Sequence, residues 1–124
     1  MSAYNVFSFQ PGPRLVDFEI GLTDTEGHIQ HVHPGHVMPL DFFRVNALIR
    51  DRFVLRPDPI KQARIARLSI ERLNADAWFA WDERYTPAKS SYPFRQFEVF
   101  VVEHDTAMQQ VIQRRSLYSY TSLR

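Results

Sequence analysis

Apolar and polar residues alternate in the first part of the chain with the two-residue period of a β-strand. In the segment RLVDFEIGL, Val16, Phe18, Ile20 and Leu22 share one side, and acidic residues occupy the other, which is typical of a half-buried strand. The loop TDTEG follows, and its Gly27 can adopt the positive φ that a short connection needs. HIQHVH then predicts the returning strand of a hairpin.

The middle of the chain changes to a helical period. Pro39 with Asp41 can open a helix over LDFFRVNALIRDRF, where apolar residues recur at three- and four-residue spacing, and RPDP interrupts it. Asp58 and Pro59 are residue types preferred at an N-cap and at the first helical position. A long helix is therefore predicted from Pro59 through Tyr85.

The remaining segments complete the predicted fold. FRQFEVFVVEH predicts an interior strand, because its apolar run occupies both faces. Asp105 is expected to cap a final helix over TAMQQVIQRR, SLYSYTSLR to form a short strand or tail, and AYNVFSF to form an early strand. This order predicts a single compact α+β domain over residues 1–124, with a small, mainly antiparallel sheet of three to five strands and two or three helices packed on one face.

Composition restricts the available chemistry. The 124 residues contain no cysteine, which excludes disulfides, thiolate nucleophiles and cysteine-bound metals. All four glycines lie in the first 35 residues, so neither long helix can begin with a glycine-rich phosphate loop. No leader pattern is visible, and no run approaches the roughly 18 apolar residues of a membrane span. A cytoplasmic protein without membrane attachment is expected.

Four of the five histidines lie within GHIQHVHPGH at residues 27–36. His31 and His33 are two apart in a predicted strand, so their side chains would leave the same face, and His36 would add a third nitrogen after the Pro-Gly turn. His28 would leave the opposite face. Three nitrogens around an open position are typical of catalytic zinc or another divalent metal, which gives one functional hypothesis, a metal-dependent hydrolase. The alternative is a histidine-rich hairpin without metal, and the strand register decides between the two.

Charge is distributed unevenly along the chain. Residues 1–43 carry one basic and five acidic residues, whereas residues 44–72 carry eight Lys or Arg against three Asp or Glu. A local surplus of positive charge attracts anionic partners.

Apolar residues are interspersed with the arginines of the long helix. Its predicted core-facing stripe consists of Ala63, Ala66, Ile70, Leu73, Ala77 and Trp81. Ile65, Leu68 and Phe79 fall instead on the basic side, where either another part of the domain or a partner must cover them. Trp78 and Trp81 with Tyr85 are predicted to plug the core at the end of this helix.

The leading functional hypothesis is a small, non-enzymatic binding module without a cofactor. Its basic helical face would engage an acidic protein, a nucleic acid or a second copy of the same chain, forming a homodimer in the last case. The candidate contact residues are Arg44, Arg52, Lys61, Arg64, Ile65, Arg67, Leu68 and Arg72.

Overall fold

A four-stranded antiparallel sheet forms the frame of the protein. The computed structural model describes residues 14–76, 86–105 and 110–122. The strands are β1 (Arg14–Asp24), β2 (Ile29–Val32), β3 (Phe94–Asp105) and β4 (Gln110–Thr121). Their spatial order is β2-β1-β3-β4, and every neighbouring pair is antiparallel. Among the described residues, the short β2 and the long β4 are therefore the edges of the sheet.

Two helices connect the β1–β2 hairpin with β3. Helix α1 spans Phe42–Arg50 and continues into a π-helical segment, Asp51–Leu55, and helix α2 spans Pro59–Asn74. Both starts follow the predicted capping pattern, in which a carboxylate accepts backbone N–H groups that have no partner within the helix. The Asp41 carboxylate accepts a hydrogen bond from the Arg44 N–H at 2.8 Å. The Asp58 carboxylate accepts hydrogen bonds from the N–H groups of Ile60 and Lys61 in the first turn of α2.

The helices cover one face of the sheet. Ile20 lies opposite Val99 and Leu22 opposite Phe97, and all four side chains are fully buried. Directly opposite residues of antiparallel strands share a face, so these pairs define the side that packs against the helices. The helices contribute Val45, Ile49, Ala66 and Ile70 to the same core. The predicted α+β fold, with an antiparallel sheet and two helices on one face, is confirmed.

Two helical predictions are wrong. Residues 110–115 belong to β4 rather than to a final helix, because hydrogen bonds with distant β3 override a local sequence compatible with a helix. Helix α2 ends at Asn74 rather than near Tyr85. Ala75 is its C-cap, and Asp76 has a φ of 54°, a left-handed conformation that terminates a helix.

Other predictions lie outside the described residues. They are the strand over AYNVFSF, the first residues of the final helix, and the roles of Ala77, Trp78, Phe79, Trp81 and Tyr85. In the part of the chain that the structure describes, no helix is both long and apolar enough to cross a membrane.

The Asn74 side chain fastens the end of α2 to the start of β3. Its Nδ2 donates to the Phe94 carbonyl oxygen at 2.9 Å, and the Phe94 N–H donates to its Oδ1 at 2.8 Å. The β1–β3 register shifts at this point, between Thr23 and Asp24. The amide of Asn74 thus satisfies both backbone groups of Phe94 and holds α2 over the sheet.

Candidate interaction surface

The hairpin histidines have separate partners. His31 lies on β2 and places Nδ1 3.2 Å from Oε1 of Glu19. Strand β2 ends one residue before His33, whose Nδ1 accepts the Gly35 N–H at 3.0 Å. His36 donates from Nδ1 to the Thr86 carbonyl oxygen at 2.8 Å. His31 thus contacts β1, His33 contacts its own turn, and His36 contacts the segment that precedes β3.

The predicted metal cluster of His31, His33 and His36 is not assembled. His33 is not on the strand, so it does not share a strand face with His31, and the short helical turn Pro34–His36 directs His36 toward the segment that precedes β3. No three His, Asp or Glu side chains are arranged to hold a metal ion among the described residues. The prediction assumed a regular strand through residue 33, whereas β2 ends at Val32.

Burial of His33 favours the neutral imidazole ring, which can accept the hydrogen bond from the Gly35 N–H. Burial lowers its pKa below the usual 6.5; the charge of Asp17 opposes this change, and His36 adds to it. A lowered pKa favours the neutral ring, and the neutral ring retains the Nδ1 lone pair that accepts from Gly35.

A polar and aromatic cluster occupies the face of the sheet opposite the helices. Glu19 Oε1 lies 2.7 Å from Arg114 Nε as well as within reach of His31. The Phe100 ring centre is 5.5 Å from that of His31 and 6.0 Å from the guanidinium carbon of Arg114. Phe100 of β3 therefore connects side chains from β2 and β4.

We expect Gly21→Ala to lower the free energy of unfolding by about 1–3 kcal/mol, because a new methyl group would overpack this cluster. An ideal Cβ at Gly21 would lie 2.8 Å from Cε2 of Phe100, which is shorter than carbon atoms tolerate. Urea denaturation of four proteins, the parent, Gly21→Ala, Phe100→Leu and the double variant, measures the coupling. Gly21→Ala should lower the free energy of unfolding by less in the Phe100→Leu background than in the parent. An equal decrease in both backgrounds would contradict contact between the new methyl group and the Phe100 ring.

The basic residues predicted to bind a partner divide into two groups. In the first group, Arg44 Nε lies 3.4 Å from Asp41 Oδ2, and Arg52 Nη1 lies 2.7 Å from Asp51 Oδ2. Asp51 also accepts a hydrogen bond from Arg56, which is the main reason that its pKa lies below the usual value. Local carboxylates thus offset much of the charge near α1.

The second group lies on α2, and of its members Lys61 is near enough to Asp51 for its charge to help lower the pKa of that carboxyl. Lys61, Arg64, Arg67 and Arg72 are exposed. None of them forms an ion pair with another residue in the described parts of the chain. We call these four residues the α2 basic face.

The apolar residues on this side of α2 have different environments. Ile65 is half-buried and packs against the core, so the domain itself supplies much of its cover. Leu68 keeps 43% of its surface exposed, and Ile60, which is not among the predicted contact residues, keeps 75%. Ile60 falls on the same side of the helix as Arg64 and Arg67 at three- to four-residue spacing, and this periodicity was the available signal.

A surface groove runs between α2 and the edge strand β4. Its volume is about 470 Å³. The lining residues are Pro59, Ile60, Ala63, Arg64, Arg67 and Tyr120. Two residues of the α2 basic face thus border an apolar floor formed by both elements. The position of Tyr120 depends on the pairing of β4 with β3, and no local sequence pattern indicates it.

Comparison of the chain with protein-family models, curated proteins and solved structures finds no match. The chemistry of the surface itself therefore carries its functional interpretation.

Proposed function

We propose that the protein is a small binding module, without catalytic activity of its own, that engages an acidic segment of another protein through the α2 basic face. One observation carries the proposal: Arg64 and Arg67 are exposed without an ion pair among the described residues, and they lie beside the exposed Ile60 along one groove. The absence of cysteine is compatible with the cytoplasmic location that we propose for it.

The mixture of arginine and apolar side chains favours a protein over a nucleic acid. Ile60 and Leu68 together offer exposed aliphatic surface among the cations, and apolar anchors beside arginine are typical of the centres of protein interfaces. Nucleic-acid binding depends mainly on phosphate contacts and gains little from isolated aliphatic side chains.

Fluorescently labelled poly-L-glutamate, a flexible acidic polypeptide, provides a direct test. We expect it to bind the parent protein, and we expect Arg64→Glu/Arg67→Glu to weaken binding by about tenfold or more, since repulsion replaces attraction at the groove. Fluorescence anisotropy at low and physiological salt measures the affinities. Circular dichroism of each variant establishes that it is folded.

A matched variant distinguishes an effect of the position of the charges from an effect of the net charge of the protein. Arg50→Glu/Lys89→Glu changes net charge by the same amount at two other exposed positions, and it should retain most of the binding. Equal weakening by both double variants would contradict a specific surface. Preferential binding to an oligonucleotide of similar charge would overturn the acidic-protein assignment. A salt-insensitive dimer that Leu68→Glu disrupts would instead assign the surface to a second copy of the chain.

A further inference from the structure

The outer edge of β4 lies beside the groove. Strand β4 has twelve residues, and among the described residues β3 is its sole partner strand. An edge strand presents backbone N–H and C=O groups along its outer side, and an extended peptide can add to them as a further strand. The same elements therefore offer backbone hydrogen bonds, positive charge and an apolar floor.

The pairing pattern identifies which backbone groups face outward. The Ser122 N–H donates to the Arg95 carbonyl oxygen at 2.8 Å. Hydrogen-bonded and non-hydrogen-bonded pairs alternate in antiparallel strands, so Tyr120, which lies opposite Phe97, also directs its backbone groups to β3. The backbone N–H and C=O groups of Ser119 and Thr121 consequently point to the outer edge of β4, away from β3.

A regular part of β4 lies next to the groove. Residues 118–121 pair with β3 without interruption, whereas the register shifts after Val99 and again after Glu103. Tyr120 belongs to this regular part and also lines the groove. A residue opposite Tyr120 on an added antiparallel strand would direct its side chain to the same face, toward Arg64 and Arg67.

We propose that the acidic partner binds as an extended strand, added antiparallel to residues 118–121 of β4, with its acidic side chains at Arg64 and Arg67. This inference rests on the proposed function and specifies its binding mode. Charge complementarity selects an acidic peptide over a second copy of the chain, because two such edges would bring their exposed Arg64 and Arg67 side chains together.

The test uses a labelled octapeptide of alternating Glu and Val. In an extended strand, both the side chains and the N–H groups of successive residues point in alternating directions. When the glutamate side chains lie in the groove, the N–H groups of the valines therefore face β4 and can donate to the carbonyl oxygens of Ser119 and Thr121. N-methylation of the valines should therefore weaken binding by about tenfold or more, whereas N-methylation of the glutamates should change it little. Fluorescence anisotropy with the parent protein compares the three peptides.

A pair of protein variants tests the same edge from the other side. Ser119→Pro removes an outward N–H that no bond to β3 uses, and proline is tolerated at such edge positions. Ser119→Ala removes the hydroxyl, which accepts from Gln96 at 3.2 Å, and keeps the N–H. The proline variant should bind the unmodified octapeptide about tenfold more weakly than the alanine variant.

The outcomes distinguish the binding mode from the function. If both N-methylated peptides bind equally well and Arg64→Glu/Arg67→Glu still weakens binding, strand addition is overturned and the acidic-partner function stands. Octapeptide binding that is indifferent to Arg64→Glu/Arg67→Glu would overturn both. A dimer of the free protein that Ser119→Pro abolishes would assign the edge to a second copy and would likewise overturn the inference.

Discussion

Phe97→Ala is expected to lower the free energy of unfolding by about 3–5 kcal/mol, because it removes a large aromatic side chain from a closed site and leaves a cavity. Phe97 is fully buried, lies opposite Leu22 on β1 and Tyr120 on β4, and packs in the cluster shared with both helices. Its loss therefore affects the contact between sheet and helices as well as the sheet itself. Urea denaturation followed by circular dichroism measures the change.

Ile29→Ala is the matched control for this prediction. Ile29 is also an apolar residue of the sheet, but 62% of its surface is exposed, so we expect a loss below about 1 kcal/mol. Similar losses for the two variants would show that Phe97 does not hold the central position in the core that the structure gives it.

Asp24→Asn is expected to destabilise the protein at neutral pH and to reduce its sensitivity to acid. The Asp24 side chain is buried beside the hairpin loop, where it accepts hydrogen bonds from the backbone of Glu26 and His28 and from Ser90 Oγ at 2.7 Å. Burial alone raises its pKa, but the hydrogen bonds from Ser90 and from the backbone and ring of His28, with that from Glu26, outweigh burial and lower the pKa to about 2. Asparagine can reproduce only part of this acceptor set.

The lowered pKa fixes the direction of the pH dependence. The unfolded carboxyl group titrates near 3.8 and the folded one near 2, so the unfolded chain binds more protons in that interval. The stabilisation is fully present above pH 3.8 and is lost as the pH falls toward 2. Thermal denaturation across this range should show the difference between parent and Asp24→Asn shrinking with acid. Asp76→Asn, at a side chain that is 77% exposed, is the control and should leave the parent profile nearly unchanged. A constant difference across the range would contradict the assigned role of the carboxylate.

The elements that the sequence predicted well depend on local signals. Apolar and polar residues alternate over RLVDFEIGL and indicate the first strand of the hairpin. Gly27, which has a φ of 86°, marks the turn that follows it. The carboxylates of Asp41 and Asp58 mark the helix starts because capping involves neighbouring residues alone. Each of these signals can be read within a window of a few residues.

Features that depend on distant pairing could not be predicted in the same way. The segment QQVIQRR is compatible with a helix or a strand, and its pairing with β3 decides between them. The end of β2 separated His31 from His33, and no local pattern indicated that end. The groove requires both α2 and Tyr120 of β4, so its charged wall was recognisable in the sequence and its floor was not.

The register shifts of β4 also limit how far the sheet can grow. A flat edge of twelve residues would serve as a template for continuous intermolecular pairing, which is the basis of fibrous aggregation. The shifts after Val99 and Glu103 interrupt this edge, and the exposed Arg115 places a charge between them. The two shifts thus divide the edge into short regular stretches, and an edge divided in this way hinders open-ended polymerisation.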